Sequence, residues 1–478
     1  MNKFFSGSQL RRLREGRGLT QVAFARELLL SPSYLNQIER NQRPLPRPLL
    51  HKLAAIFGVA LDYFGDAEAL RQAQAVREAL ADSLFGGEPF DPAEAERLVD
   101  LAPEATRRLL LLYRSYLNQG EQLQSIHGRA DTPAPAGVYE EVRDWVQDCG
   151  NYFDTLDRAA EDLATAIGVS SETAWDVLAG RLRDVHGIEV LSEPGLLKEG
   201  AVWRLRRREG RLILAAEGSR ESRVFWMAHV IGELEQASAI ERALRRSRLT
   251  SDTARALGRV ALANYFAGAL IMPYCAFLEA AEGTRYDVER LQTRFGTSFE
   301  QVCHRLSTMQ RPGSTGIPFF FLKTDNAGNV MKRSSATRFQ FARIGGPCPL
   351  WNVYRAFGAP GQVHVQLATT PDGVSYLNIA RTVGRSGGYY LSRPRSVAVV
   401  LGCESAHACR TVYAAGLDLQ DSRMAVPIGP GCRACERADC RHRAVPPAGY
   451  KLDVGTRERG LVPYRVQRVT PPTAGSAR

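Results

Sequence analysis

The sequence predicts a multidomain protein of mixed class, all-helical in its front and middle parts and α/β in its rear part. Three observations predict it. At 478 residues the chain exceeds what one core ordinarily holds. Apolar residues recur at helical spacing through residue 312 and alternate between Gly/Asp turns after 313. Apolar content of 44% and charged content of 24% are ordinary for a globular chain. No apolar run reaches the ~20 residues of a membrane span, and MNKFFSGSQL lacks the apolar stretch of a secretory signal. A cytoplasmic protein without a membrane partner is expected.

The net charge of +11 is unevenly spread. Residues 1–65 carry 10 basic and 4 acidic side chains, residues 380–478 carry 16 and 7, and the stretch between them 36 and 40. A basic head suits a polyanion, because neutralised phosphates release condensed counterions.

Residues 1–68 divide into short helices. SQLRRLREGRG places Leu10 and Leu13 on one stripe and stops at Gly18. LTQVAFAREL follows, with Thr20 as N-cap and Val22, Ala25 and Leu28 inward. In SPSYLNQIER, Ser31 caps, Pro32 occupies the first turn, and Leu35 and Ile38 face the core. PRPLLHKLAAIFGV and LDYFG supply two more helices, with Leu49, Leu53 and Ile56 on the buried stripe. The LTQ and SPSYLNQIERNQRPL segments resemble the lambda-repressor-like, XRE-type helix-turn-helix. That resemblance implies a double-stranded DNA operator, usually bound as a homodimer. Ser33 and Gln37 would read base edges, with Tyr34 and Asn36 flanking, while Gln21 and Arg43 hold phosphates.

Residues 69–126 read as a helical spacer that also serves dimerisation. HGRADTPAPAG at 127–137 is a linker by composition. Residues 138–312 read as helical, opening with one amphipathic helix around Trp145, Phe153, Leu156 and Leu163. FWMAHVIGELEQ resembles the active-site helix of the ImmA/IrrE metallopeptidases, whose H-E-x-x-H motif binds zinc and supplies the base. Here the stretch is His229-Val230-Ile231-Gly232-Glu233, so the base and the second imidazole are missing. The downstream position nearest the family's third ligand is Val260. One imidazole without a base to activate water implies a retained, zincin-like fold without catalysis, and the chain is not expected to be an enzyme.

Residues 313–450 read as a mixed α/β sensor domain, and 451–478 as a basic tail. Cys432, Cys435 and Cys440 are spaced C-x2-C-x4-C. Cys403 is the expected fourth ligand, with Cys409 as its competitor. Four thiolates suit a four-iron, four-sulfur cluster or zinc, and Arg433, Arg437, Arg441 and Arg443 would offset their charge. With GGPCPLW and GCRACERADCRHRAVPP added, nearly the whole chain resembles the short-chain fatty-acyl regulator family of bacterial transcription factors. That resemblance implies an acyl-CoA or CoA effector. The phosphates of such a ligand need a basic groove, for which Lys323, Lys332, Arg333, Arg381 and Arg385 are candidates, with Trp351 or Tyr354 for packing. Two other readings remain: a metallopeptidase-type regulator, and an iron–sulfur redox sensor without an acyl pocket.

Overall fold

The structure is a computed structural model. It describes the chain except residues 1–6, 18, 29, 41, 44, 46–48, 50–51, 54–55, 58–66, 81–91, 114–115, 117–135, 340, 342–345, 386–394, 420, 448–449, 456, 458–459 and 469–478. Two units emerge: Met1–Tyr113 with Ala448–Lys451 and Gln467–Arg478, and Arg114–Pro447 with Leu452–Val466. The linker read at 127–137 lies largely outside the described residues.

In the first unit, α1 (Gly7–Gly16), α2 (Gln21–Glu27) and α3 (Pro32–Glu39) enclose Leu10, Leu13, Phe24, Ala25, Leu28, Leu35 and Ile38. Both expected caps form, since Thr20 accepts from the Ala23 N–H and Ser31 from the Tyr34 N–H, each at 3.2 Å. Each cap satisfies a helix-start donor that would otherwise have no partner. Two inward assignments are corrected. Val22 is 58% exposed and Ile56 is 44% exposed, while the larger rings of Phe24 and Phe57 take the buried places and pack at 5.0 Å. The spacer contains α4 (Ala67–Leu80), α5 (Pro92–Leu101) and a helical stretch at 103–113.

The second unit opens with two helices where one was expected, α6 (Ala136–Asp148) and α7 (Asp154–Ile167). Gly150 and Asn151 both take positive φ, 68° and 55°, and break the run. The Asn151 amide then donates to the Ser335 carbonyl at 2.9 Å. After α8 (Ala174–His186) comes a sheet absent from the helical reading: β1 (Glu189–Glu193), β2 (Trp203–Arg206) and β3 (Arg211–Ala215), in the order β1-β3-β2. Six helices follow: α9 (Arg220–Glu235), α10 (Ala237–Arg246), α11 (Asp252–Ile271), α12 (Tyr274–Gly283), α13 (Val288–Phe295) and α14 (Phe299–Leu306). No single helix among the described residues is long and apolar enough to cross a membrane.

The rear sheet has the order β5-β4-β8-β7-β6-β9, from β4 (Phe320–Thr324), β5 (Val330–Ser335), β6 (His364–Thr369), β7 (Ser375–Arg385), β8 (Arg395–Glu404) and β9 (Val426–Pro427). Its pairings are antiparallel except β6 with β9. Strand alternation gives the sheet two buried faces. Phe321, Leu377, Ile379, Val399, Leu401 and Cys403 join the core of the helical body. Phe320, Leu322, Ala380, Ala398 and Val400 join a second core with Phe339, Trp351 and α15 (Asn352–Gly358). The stretch read as a tail contains β10 (Tyr450–Asp453) and β11 (Arg465–Arg468), paired as a small sheet.

Candidate functional sites

Helix α3 presents Ser33 exposed and Gln37 half-buried, with Leu35 and Ile38 turned to the core. Ion pairing fixes its orientation, as Arg14 on α1 reaches Glu39 through two bonds of 2.7 and 3.2 Å. Gln21 at the start of α2 donates to Asn36 Oδ1 (3.3 Å) and Glu39 Oε2 (3.0 Å), which locks α2 against α3. The Arg43 guanidinium lies 5.5 Å from the Tyr34 ring centroid. The six residues read from the sequence therefore gather on α3 and its two flanks. Such an arrangement can lay a rigid helix in a major groove with short polar side chains foremost.

A second site lies in the other unit. Cys348, Cys432, Cys435 and Cys440 line one small pocket with Gly429, Gly431, Arg437 and Arg443. The structure brings Cys348, from GGPCPLW, to the three spaced cysteines and places Cys403 elsewhere. The physical reason is strand alternation. Cys403 shares the face of Leu401 and Val399, within the helical body's core, whereas Cys348 belongs to the core on the opposite face. Burial pushes the Cys403 thiol up to about 12, as befits an apolar position. Cys409 is exposed.

Arg443 holds the cysteine loop in shape, donating to the carbonyls of Cys432 (2.9 Å), Cys435 (3.3 Å) and Arg437. Arg437 donates to Thr369 O at 2.6 Å, and Arg433 and Arg441 are exposed. Burial raises the Cys348 and Cys435 thiols above their ordinary value. Backbone N–H groups of Leu350 and Gly429 at Cys348, and of Arg437 at Cys435, act against it. A Cβ on Gly429 would stand 2.6 Å from Cys435 Sγ, so only glycine leaves the sulfur its room. Four thiols with N–H donors beside them fit, in chemistry, a metal or iron–sulfur group. Among the described residues, no three His, Cys, Asp or Glu side chains are drawn together at metal-ligand distances.

The effector candidates do not converge. Lys332, Lys323 and Arg381 lie in one row across β5, β4 and β7, with Val399 between the last two. Lys323 is bound to Glu300 at 2.7 Å and Arg381 to Glu289 at 3.0 Å. Arg385 lies on the same strand as Arg381 and pairs in register with Arg395. Arg333 turns to Glu140. Trp351 is 3% exposed on the other side of the sheet, its ring 5.1 Å from that of Phe339, and Tyr354 donates to Pro347 O at 3.1 Å.

In the peptidase-like region, His229 is buried with its Nε2 3.6 Å from Glu233 and its Nδ1 without a partner. Burial lowers its pKa, against the opposing pull of Glu233 and Asn264. Asn264 on α11, and not Val260, therefore faces this imidazole, and Val260 is 43% exposed. The rings of Trp203 and Trp226 lie 5.5 Å from it. The imidazole is thus enclosed by two indole rings and faced by one carboxylate and one amide.

A capped, polar helix on a small helical unit, joined in one chain to a body with a peptidase-like helix, is the arrangement of a helix-turn-helix transcription regulator. Comparison with known proteins agrees. The chain matches the helix-turn-helix family at residues 10–64, the IrrE N-terminal-like domain at 183–307, and the short-chain fatty acyl coenzyme A regulator C-terminal family at 308–464. It is 45% identical to the propionyl-CoA carboxylase regulator of Cereibacter sphaeroides, covering 97% of this chain and 99% of that one. It is 39% identical to RamB of Mycobacterium tuberculosis (98% and 100% covered) and 40% identical to PrpR of the same organism (97% and 96%). A solved Mycobacterium tuberculosis transcriptional regulator superposes with a TM-score of 0.66 at 42% identity, covering 69% of this chain and 99% of that one. The chain belongs to the short-chain fatty acyl coenzyme A regulator family.

Proposed function

We propose that this protein controls genes of short-chain acyl-CoA metabolism of the propionate or acetate type, acting in the cytoplasm as a homodimer on operator DNA and responding to an acyl-CoA. The observation that carries the reading is likeness over essentially the full length to a propionyl-CoA carboxylase regulator. Ser33 and Gln37 on α3 supply the base readout, flanked by Tyr34 and Asn36, with Gln21 and Arg43 toward the phosphates. Leu101 and Leu112, 83% and 69% exposed on the spacer helices, supply apolar surface for the partner copy. The effector acts by population shift, binding one arrangement of the second unit better than another. Lys323, Lys332, Arg381 and Arg385 remain its phosphate-facing candidates, and Trp351 leaves the set because it is buried across the sheet.

The test is operator binding with propionyl-CoA, acetyl-CoA and free CoA added in turn. An acyl-CoA should change operator affinity by about 5–150-fold, the usual range of allosteric coupling. Identical titrations with all three and with none would refute the effector reading. Replacing Ser33 and Gln37 by alanine should cost about 1–3 kcal/mol of base discrimination per lost contact, leaving the fold intact by circular dichroism.

The thiol pocket supports a metal-bearing role through Cys348, Cys432, Cys435 and Cys440. We assign it a four-iron, four-sulfur cluster, with zinc as the alternative. A cluster supplies a redox-active centre; the chain itself supplies four thiols, N–H donors and the Arg443 brace. Anaerobic absorption at about 400 nm, the iron–thiolate charge-transfer region, should mark the purified protein. A colourless protein with one equivalent of zinc would replace the cluster by zinc. The pocket also favours a redox-sensor reading. If cluster oxidation alone moves operator affinity and acyl-CoA never does, that reading displaces the first.

A further inference from the structure

Helix α10 and the start of α11 carry six arginines within residues 237–259, against Glu241 and Asp252. Arg242, Arg245 and Arg246 recur at i, i+3 and i+4 on the side of α10 away from its buried Ala239, Ile240 and Leu244. Arg248 follows, and Arg255 and Arg259 stand one turn apart on α11. All but Arg259 are exposed, and among the described residues only Arg259 of the six has a carboxylate partner, Glu241. Arg242, Arg245 and Arg259 line an open groove of about 420 Å³ with Ala237, Ser238 and Glu241, so three guanidinium groups there face a single carboxylate. The patch is an island, since residues 66–379 as a whole carry more acidic than basic side chains.

Unpaired guanidinium groups at this density repel one another unless an anion joins them. Their forked donors match phosphate oxygens. The groove has no aromatic or large aliphatic lining to anchor a protein partner, and no apolar rim to enter a lipid surface. A duplex already held by α3 presents a high local concentration of phosphates, so weak contacts add to affinity. We propose that this arginine face is a second DNA-contact surface, which grips the phosphate backbone of the duplex beyond the bases read by α3. The inference deepens the DNA-binding reading and rests on it.

The experiment uses the full chain with Arg242, Arg245 and Arg246 replaced together by alanine, and a second variant with all three replaced by lysine. Each is titrated across salt on a duplex extending about 20 base pairs beyond the operator, and on one trimmed to the operator. With a slope of about −0.9 per phosphate contact, the alanine variant should lose about 2–3 from the slope of log K against log salt on the long duplex. It should lose at least about tenfold in affinity at low salt, for matched and scrambled sequences alike. On the trimmed duplex it should match the parent, and the lysine variant should keep most of the slope. Parental slope and affinity on the long duplex would overturn the proposal. So would a defect confined to acyl-CoA titration, or to binding of phosphatidylserine vesicles. Failure of the α3 reading is distinguishable, because the Ser33/Gln37 double variant would then keep its sequence discrimination.

Discussion

Lys332 stands directly opposite Lys323 on the β4–β5 ladder, a like-charge pair that Glu300 relieves by bonding Lys323. Burial, more than Lys323, draws the Lys332 ammonium down to about 8. Its folded value lies below the unfolded one, so at neutral pH the charged form is a burden on the fold. That burden is complete below the folded value and lifts as pH rises toward the unfolded value. Lys332→Met should therefore raise the melting temperature at pH 7 by a few degrees, about 1–2 °C per kcal/mol for a unit of this size, and the advantage should shrink above pH 8. Thermal scans at pH 7 and pH 9.5 check it; an equal advantage at both would contradict the burial argument. The thiols give a sharper contrast. Cys348→Ser should abolish the absorption at about 400 nm, and Cys403→Ala should leave it intact. That Cys432, Cys435 and Cys440 lie together was legible from spacing alone, but that Cys348 shares their pocket was not. Cys403 lies nearer in sequence, and only the parity of β8 shows that it faces away. Val22 and Phe24 teach the same lesson in the head, where both fit an apolar stripe and ring size decided which went in.

At the level of elements, the caps and the first three short helices of the head follow directly from Thr20, Ser31 and Pro32, while LDYFG and most of PRPLLHKLAAIFGV lie outside the described residues. The β1–β3 sheet went unread because its strands are only four or five residues long and sit between strong helical segments. The break between α6 and α7 was hidden because Asn151 tolerates a left-handed backbone for the sake of its bond to Ser335. Helices α9 and α11 approach closely at Gly232, where a Cβ would stand 2.7 Å from the Phe266 ring. Gly232→Ala should thus destabilise the protein by about 1–3 kcal/mol through overpacking, despite alanine's better helix propensity. Urea unfolding followed by circular dichroism measures this; an unchanged or raised midpoint would mean that the two helices can part without cost.

For the molecule as a whole, the helical body of the second unit is tied together by charge as well as by apolar packing. Asp157 on α7 is fully buried, bonded to Arg305 on α14 at 2.7 Å, to Arg311 at 3.0 Å and to Tyr265 on α11 at 2.6 Å. Burial alone would raise its pKa, but Arg305 and the hydrogen bonds prevail and lower it. Its contribution is therefore present at neutral pH and is lost as acid carries the solution below the ordinary carboxylate range. Asp157→Asn leaves two guanidinium groups confronting each other in the interior and should cost about 3–5 kcal/mol, read as an early, acid-insensitive unfolding transition. Neither arginine was recognised as structural from the sequence, because nothing in local spacing links residue 157 to residues 305 and 311. The rear sheet has a mechanical consequence of its own. It is a wall with the cysteine-lined pocket on one side and the peptidase-like helices on the other, and β8 contributes side chains to both. Val399, Leu401 and Cys403 root the strand in one room while Ala398 and Val400 root it in the next, so β8 cannot slide along its length without disturbing both.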